Sequence, residues 1–167
     1  FGDEYKIMGL AAYGKPVYFK KLLNNLFIKN KSFFKLNLKF FKHDQIDFNY
    51  SYLNSNNIEN IYSSKLDELF KKEIENNKDD IFKQNFACSV QKVYEFFFKK
   101  ILEDIISNNY SKNLVFAGGC ALNSMANQFL ISKNFTKNIF IPYAPGDNGG
   151  ALGAAFYICK NKRNNNQ

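Results

Sequence analysis

The sequence predicts an α/β protein with a parallel β-sheet in its C-terminal half. Two short apolar segments, residues 113–117 and 138–142, read as strands, and each leads through a glycine-containing turn into a helical segment. The order strand, helix, strand, helix is typical of parallel sheets, because parallel neighbours need a crossover connection. No segment repeats at a fixed period, which argues against a solenoid.

The N-terminal half begins with a glycine-punctuated segment, residues 1–16, and continues into an amphipathic helix. Pro16 suits the first turn of a helix. Beyond it, apolar residues recur at the spacing of one helix face: Phe19, Leu22, Leu23 and Leu26.

Two alternating segments follow this helix. Apolar and polar residues alternate over residues 34–40 and again over 46–52, which predicts two half-buried strands joined as a hairpin around His43. The polar stretch after them predicts only a short helix near residues 65–75.

A long helix is predicted from Asp80 to Ser107, where Asn108 and Asn109 end the pattern. Its apolar residues fall on one face: Val90, Val93, Tyr94, Phe97, Ile101, Leu102 and Ile105. We expect this helix to contribute packing rather than chemistry.

The net charge of +8 would suit nucleic acid, anionic surfaces or phosphate-bearing ligands. The lysines are scattered among Asn and Phe, so a solvated basic face is favoured over a nucleic-acid groove. The three cysteines, Cys88, Cys120 and Cys159, are widely spaced and match neither a disulfide framework nor a zinc site. No signal peptide or apolar run of membrane-spanning length is visible, so we expect a cytoplasmic protein.

The first glycine turn follows the first predicted strand. Gly118 and Gly119 lack a Cβ, which lets a ligand approach the main chain, and N–H groups at the start of the next helix favour an anion such as phosphate. A tight structural turn is the alternative. Asn123, one turn into the helix, could bind a ribose hydroxyl or cap the helix locally.

The second glycine turn lies in "PGDNGGALGAA" and adds a carboxylate. Asp147 precedes a helix, where an acidic side chain is stabilised as an N-cap even without a function. The cap leaves Gly149, Gly150 and Gly153 unexplained, because each costs about 1 kcal/mol in a helix interior. A carboxylate ligand for a metal beside a polyphosphate would use this geometry.

Three segments, "EYKIMGLAAYGKP", "VFAGGCALN" and "IPYAPGDNGGALGAA", resemble the ATP-dependent O-carbamoyltransferases that modify sugars of nodulation factors, antibiotics and related glycosides. The helix "ACSVQKVYEFF" fits the same pattern. The resemblance implies a ribonuclease-H-like lobe of the acetate kinase, sugar kinase, Hsp70 and actin superfamily, in which two lobes surround a nucleotide.

Carried over by residue, the resemblance implies that Gly118 and Gly119 lie along the phosphates of ATP. It places Asn123 at the adenosine part and makes Asp147 a ligand of a divalent metal such as iron or magnesium. It identifies no catalytic residue. Cys120 has no nearby histidine to lower its pKa and is expected to be a small packing residue.

The resemblance gives further nucleotide-binding candidates outside the first glycine turn. Gly14 matches a nucleotide-contacting glycine in related tRNA-modifying enzymes, although it could equally be a simple turn. Glu4, Lys6 and Gly149 are weaker candidates, and ordinary helix-surface charge is the alternative for the first two.

The family's metal is completed by a pair of histidines, whereas this sequence contains one, His43, which we expect at the surface. We therefore expect residues 1–160 to be a partial nucleotide-binding domain, lacking the preceding lobe and a C-terminal domain, with a disordered tail over 161–167. Such a fragment would require the missing parts and be inactive alone.

The implied reaction uses carbamoyl phosphate and ATP to form a carbamoyl-adenylate, which O-carbamoylates a small molecule, most simply a glycoside. One alternative is threonylcarbamoyl transfer to tRNA, which the positive charge favours, although "MGLAAYGKP" follows the small-molecule branch more closely. The other is a degenerate, non-catalytic lobe that serves as an interaction module or is a gene remnant.

Overall fold

A computed structural model describes residues 4–30, 34–44, 61–76, 80–108, 111–132 and 137–164. The chain divides into two compact units, an N-terminal unit, Phe1–Val93, and a C-terminal unit, Tyr94–Gln167. No helix in the described residues is both long enough and apolar enough to cross a membrane.

The N-terminal unit contains helices and one antiparallel strand pair. Its elements are α1 (Glu4–Ala11), α2 (Phe19–Leu26), β1 (Phe27–Lys29), β2 (Phe34–Leu36), α3 (Ser64–Asn76) and the first part of α4 (Asp80–Ser107). The predicted helices after Pro16, near 65–75 and from Asp80 are therefore confirmed.

Aromatic rings form much of the core of the N-terminal unit. Phe70 on α3 is fully buried and meets Tyr18 edge-on at 5.6 Å and Phe86 at 5.1 Å between ring centroids. The Lys21 ammonium lies 4.7 Å from the Phe70 centroid and pairs with Glu73. Helix α2 therefore packs against α3 through buried apolar side chains and the partly exposed ion pair between Lys21 and Glu73.

The strand prediction in this unit needs a correction. The strand at Phe34–Leu36 exists, but its described partner is Phe27–Lys29, with Phe27 opposite Leu36. The sequence assigned no strand to 27–29, because these residues directly continue the periodicity of α2. The second predicted strand, 46–52, lies outside the described residues.

The C-terminal unit contains the predicted parallel strands. β3 (Asn113–Val115) pairs with β4 (Asn138–Phe140) in parallel, with Leu114 opposite Ile139. A short 3₁₀ turn (Gly119–Leu122), helix α5 (Ser124–Ser132) and helix α6 (Gly149–Asn164) complete the unit. The mixed α/β class with a parallel strand pair is confirmed.

One face of the β3–β4 pair covers the core of the C-terminal unit. Phe98 and Leu102 on α4 pack with Ala126 and Leu130 on α5, all of them buried. Half-buried residues of the strands and their ends pack on this cluster: Leu114, Phe116, Ile139 and Ile141.

Two helix boundaries and the exposure of one residue differ in detail from the sequence expectation. The helix expected from Ala121 begins at Ser124, because the 3₁₀ turn precedes it. Ile101, expected on the packed face of α4, is exposed. Helix α6 continues to Asn164, and the disordered tail expected over 161–167 stays a prediction.

Candidate functional site

The two glycine turns lie next to each other in the C-terminal unit. The backbone N–H of Gly118 donates to the carbonyl of Pro145 at 2.7 Å. A Cβ at Gly146 would lie 3.7 Å from Leu122 Cδ1. Both turns follow the carboxyl ends of parallel strands, which is the edge where α/β sheets bind ligands.

Gly118 shapes the first glycine turn. Its φ of +98° and ψ of 168° are accessible only to glycine without strain. Since its N–H is bonded to Pro145, Gly118 contributes conformation rather than a donor for a phosphate.

Gly119 and Cys120 supply the available donors of this turn. Both residues are exposed, and in the described part of the chain no acceptor is bonded to either backbone N–H. A Cβ at Gly119 would meet no atom within 4 Å. The turn therefore carries two adjacent N–H groups that have no acceptor among the described residues, a feature that it shares with anion-binding turns.

Two side chains hold the carbonyls of the 3₁₀ turn. The Tyr94 hydroxyl on α4 donates to the carbonyl of Cys120 at 3.4 Å, and the Asn127 amide on α5 donates to the carbonyl of Ala121 at 2.7 Å. The Tyr94 ring stacks on Phe98, with centroids 5.9 Å apart. Burial and the contact with Cys120 raise the pKa of the Tyr94 phenol above its usual value.

These two positioning residues were missed by sequence reasoning. The sequence pattern places Tyr94 on the packed face of α4, which describes its ring but not its hydroxyl. Asn127 carries no sequence pattern that would have identified it. Its Oδ1 atom is buried and has no hydrogen-bond partner in the described residues.

Asn123 acts as a local cap for α5. Its side-chain oxygen accepts a hydrogen bond from the Ala126 N–H at 3.1 Å, and its carbonyl accepts one from the Asn127 N–H at 3.0 Å. Local capping, one of its two expected roles, is what the structure shows. Its contact with adenosine stays a prediction.

Asp147 is exposed just before α6. Its carbonyl accepts the Gly150 N–H at 3.1 Å, but no described residue hydrogen-bonds or ion-pairs with its carboxylate. Gly149 has a structural reason, because a Cβ there would overlap the carbonyl of Ala144. Because the Asp147 carboxylate has no hydrogen-bond partner among the described residues, the side-chain cap suggested for Asp147 is not formed. The carboxylate is exposed to solvent.

The described residues do not form a metal site by themselves. They contain no group of three or more His, Cys, Asp or Glu that could hold an ion. One carboxylate is too few ligands for a divalent metal. His43 is exposed, as expected, and its ring lies 6.0 Å from that of Phe41.

The N-terminal candidates lie in the other unit. Glu4 and Lys6 are exposed on α1. Gly14 approaches α4 so closely that a Cβ would overlap the carbonyl of Gln84, and the next residue, Lys15, donates its N–H to Asn85 Oδ1 at 2.7 Å. Packing against a helix therefore explains the glycine, and nucleotide contacts for these three residues stay predictions.

None of the three cysteines forms a disulfide in the described structure. Cys88 is partly buried, whereas Cys120 and Cys159 are exposed. The expectation that Cys120 is a packing residue is wrong, because the 3₁₀ turn directs it to the surface.

Comparison with known proteins gives the family. Residues 2–156 match the family model described as the carbamoyltransferase N-terminus. An uncharacterized protein of Synechocystis sp. is 34% identical over 158 residues, which cover 93% of this chain and 24% of that relative. The chain thus spans about a quarter of that protein's length. With most of its length matched by the model, the chain belongs to the carbamoyltransferase family and represents its N-terminal region.

Proposed function

We propose that this chain is part of an enzyme that transfers a carbamoyl group to the hydroxyl of a sugar or another small molecule. Carbamoyl phosphate, water and ATP give a carbamoyl-adenylate, with inorganic phosphate and pyrophosphate released. The acceptor hydroxyl oxygen then attacks the carbamoyl carbon and loses its proton, with AMP as the leaving group. Membership of the carbamoyltransferase family supports carbamoyl as the group that is transferred. The hydrogen bond between Gly118 and Pro145 carries the site assignment, because it joins both glycine turns at one sheet edge.

In this proposal the chain's part is to bind and orient phosphate. The N–H groups of Gly119 and Cys120 bind an anionic oxygen of ATP, and Gly118 provides the bend that turns them outward. Tyr94 and Asn127 hold the carbonyls of Cys120 and Ala121 in place. The neighbouring N–H groups therefore need little reorganisation when a phosphate oxygen binds. No nucleophilic side chain is needed, because the acceptor hydroxyl attacks directly.

We further propose that the parallel strand pair belongs to a ribonuclease-H-like lobe. The parallel pairing of β3 and β4, helix α5 between them and the ligand edge support this. Asp147 is proposed as one ligand of a divalent metal, whose other ligands lie outside the described residues. Its carboxylate is exposed and has no hydrogen-bond or ion-pair partner among the described residues, which supports that role.

A calorimetric titration with ATP tests the phosphate site in residues 1–167. We expect binding weaker than micromolar, that is, less than about 8 kcal/mol, because phosphate contacts open to water are screened. Gly119→Val should weaken this binding further while preserving the fold, since a Cβ at this position would meet no described atom within 4 Å. Unchanged ATP binding by this variant would contradict the phosphate site at Gly119. Submicromolar ATP binding by the unaltered residues 1–167 would contradict the expectation that the site is incomplete in this chain.

The reaction itself is tested in a longer polypeptide that contains residues 1–167. AMP release should require carbamoyl phosphate, ATP and a hydroxyl acceptor together. A panel of glycosides is compared with unmodified tRNA, which is supplied with threonylcarbamoyl-adenylate as its donor, to distinguish the two acceptor classes. Release that depends on tRNA and not on any glycoside would overturn the small-molecule assignment.

A further inference from the structure

Two asparagines occupy equivalent places in the C-terminal unit, each directly before a helix that follows a parallel strand. Asn123 precedes α5, and Asn148 precedes α6. A side chain at this position commonly accepts a hydrogen bond from the first turn of its helix. A carboxamide that accepts such a bond is held in place, whereas one without it can rotate against its own backbone.

The two carboxamides differ in this respect. Asn123 Oδ1 accepts the Ala126 N–H at 3.1 Å. Asn148 is exposed, and its side chain has no hydrogen-bond partner in the part of the chain that the structure describes. The carboxamide of Asn148 is therefore not restrained, although it stands at the same point of the fold as that of Asn123.

The residue that follows Asn148 is a glycine, and Asn-Gly occurs nowhere else in the sequence. Because glycine has no Cβ, its backbone nitrogen is easily reached by the carboxamide carbon of the preceding asparagine. Packing requires glycine here, since a Cβ at Gly149 would overlap the carbonyl of Ala144. The fold thus keeps an open backbone nitrogen next to a carboxamide that it does not hold.

The Gly149 backbone nitrogen becomes available through local opening. Its N–H donates to the carbonyl of Gly146 at 2.9 Å. This bond lies in the turn that starts α6, where Asp147 and Asn148 are exposed. Helix ends fray and open at little cost in free energy, so the bond breaks without unfolding of the C-terminal unit.

We propose that Asn148 is a modification site, at which spontaneous deamidation converts the carboxamide to a carboxylate. The Gly149 backbone nitrogen attacks Asn148 Cγ and loses its proton, the bond between Cγ and Nδ2 breaks, and ammonia leaves. Water then opens the succinimide ring. Attack of water at Cγ gives aspartate, and attack at the Asn148 backbone carbonyl carbon gives isoaspartate. No oxidant or co-reactant other than water is needed.

Either product adds a second carboxylate next to Asp147, at the edge where the two glycine turns meet. The consequence for ATP rests on the proposed function, in which this edge binds phosphate. One additional unit charge at about 4 Å in water lowers the affinity for an anion about fivefold. Deamidation would therefore weaken the phosphate site irreversibly as the protein ages.

The test follows deamidation in residues 1–167 at mildly alkaline pH, in the folded chain and in urea. Tryptic peptide 138–160 carries Asn148, and peptide 113–133 carries Asn123. Mass spectrometry measures the conversion of amide to carboxylate, and an isoaspartyl methyltransferase labels isoaspartate. In the folded chain, Asn148 should react at least tenfold faster than Asn123. Urea should accelerate the reaction of Asn123 and leave that of Asn148 nearly unchanged, because the fold holds only the first carboxamide.

Three variants make the test specific. Asn148→Gln should abolish isoaspartate in peptide 138–160, because its longer side chain closes a ring on Gly149 much more slowly. Asn148→Asp carries the charge of the product, and Asn24→Asp adds the same charge at an exposed position of α2 in the N-terminal unit. Calorimetry should show ATP binding about fivefold weaker for Asn148→Asp than for Asn24→Asp.

Equal deamidation rates of Asn123 and Asn148 in the folded chain would overturn the proposal. A strong acceleration of the Asn148 reaction in urea would do the same, because it would mean that the fold protects this carboxamide. Equal ATP affinities of the two aspartate variants would overturn the effect assigned to the new carboxylate. The mass measurements do not involve ATP, so the modification site and the proposed function fail separately.

Discussion

Replacing Gly118 by Ala should destabilise the C-terminal unit, whereas the same change at Gly119 should not. Gly118 has φ +98° and ψ 168°, a region essentially reserved for glycine, so strain of about 1–3 kcal/mol is expected. The loss of chain entropy in the unfolded state offsets about 0.4–1 kcal/mol. Among the described residues, no atom lies within 4 Å of the new Cβ at either position, so we expect no steric clash in either variant.

We therefore expect Gly118→Ala to lower the free energy of unfolding by about 1–2 kcal/mol. Gly119→Ala should be neutral or slightly stabilising, because its backbone is not in the left-handed region. The sequence has no Trp and its tyrosines lie in both units, so optical probes would not isolate this turn. Urea unfolding should instead be followed by hydrogen-exchange mass spectrometry of peptides covering residues 113–130.

Equal unfolding midpoints for the two variants would refute this reasoning. A larger loss for Gly119→Ala would do the same, because it would mean that the strained position is assigned to the wrong glycine. Either outcome would also remove the reason for treating Gly118 as the residue that turns the neighbouring N–H groups outward.

Three further predictions concern single side chains. Asp147→Asn should leave the unfolding midpoint unchanged, because the carboxylate has no described partner, but in a longer active polypeptide it should lower metal-stimulated AMP release at least tenfold. Tyr94→Phe keeps the ring stacking, should cost about 0.5–1.5 kcal/mol in urea unfolding, and should remove a loss of stability above about pH 10. The direction of this pH effect follows because burial raises the pKa of the phenol in the folded state only. As the pH rises, the phenol of the unfolded state loses its proton first, and this ionisation favours unfolding. Gly14→Ala should lower the free energy of unfolding by about 1–3 kcal/mol, because its Cβ would overlap the backbone of α4. The control, Gly9→Ala, should lower it by nothing, because its Cβ would meet no described atom within 4 Å. Equal losses of stability in thermal unfolding would contradict this packing.

Much of the fold could be predicted because strong periodicity decides local structure. The α2 residues Phe19 and Leu22 recur at helical spacing, and the strand at β3 is a short apolar run before a glycine turn. The strand at β1 was missed because Phe27–Lys29 continues an apolar helix pattern, and only pairing with Phe34–Leu36 makes it extended. Pairing is a tertiary effect that a single local pattern does not contain.

The candidate site was predictable in its parts but not in its assembly. The sequence indicates that Gly118, Gly119 and Asp147 follow strands, and the parallel pairing brings their turns to one edge. It could not tell which glycine takes the positive φ. Nor could it show that Gly14 is needed for packing on α4, because the carbonyl of Gln84 is seventy residues away along the chain.

A nuclear magnetic resonance titration of ¹⁵N-labelled residues 1–167 with millimolar ATP tests most directly whether the two glycine turns form one phosphate site. The account predicts that the amide signals of Gly119 and Cys120 shift together with those of Asp147 and Asn148, with a single apparent affinity. Adenosine, which lacks the phosphates, should leave these signals in place. Shifts confined to one turn, or spread over the exposed lysines with both turns unaffected, would contradict it.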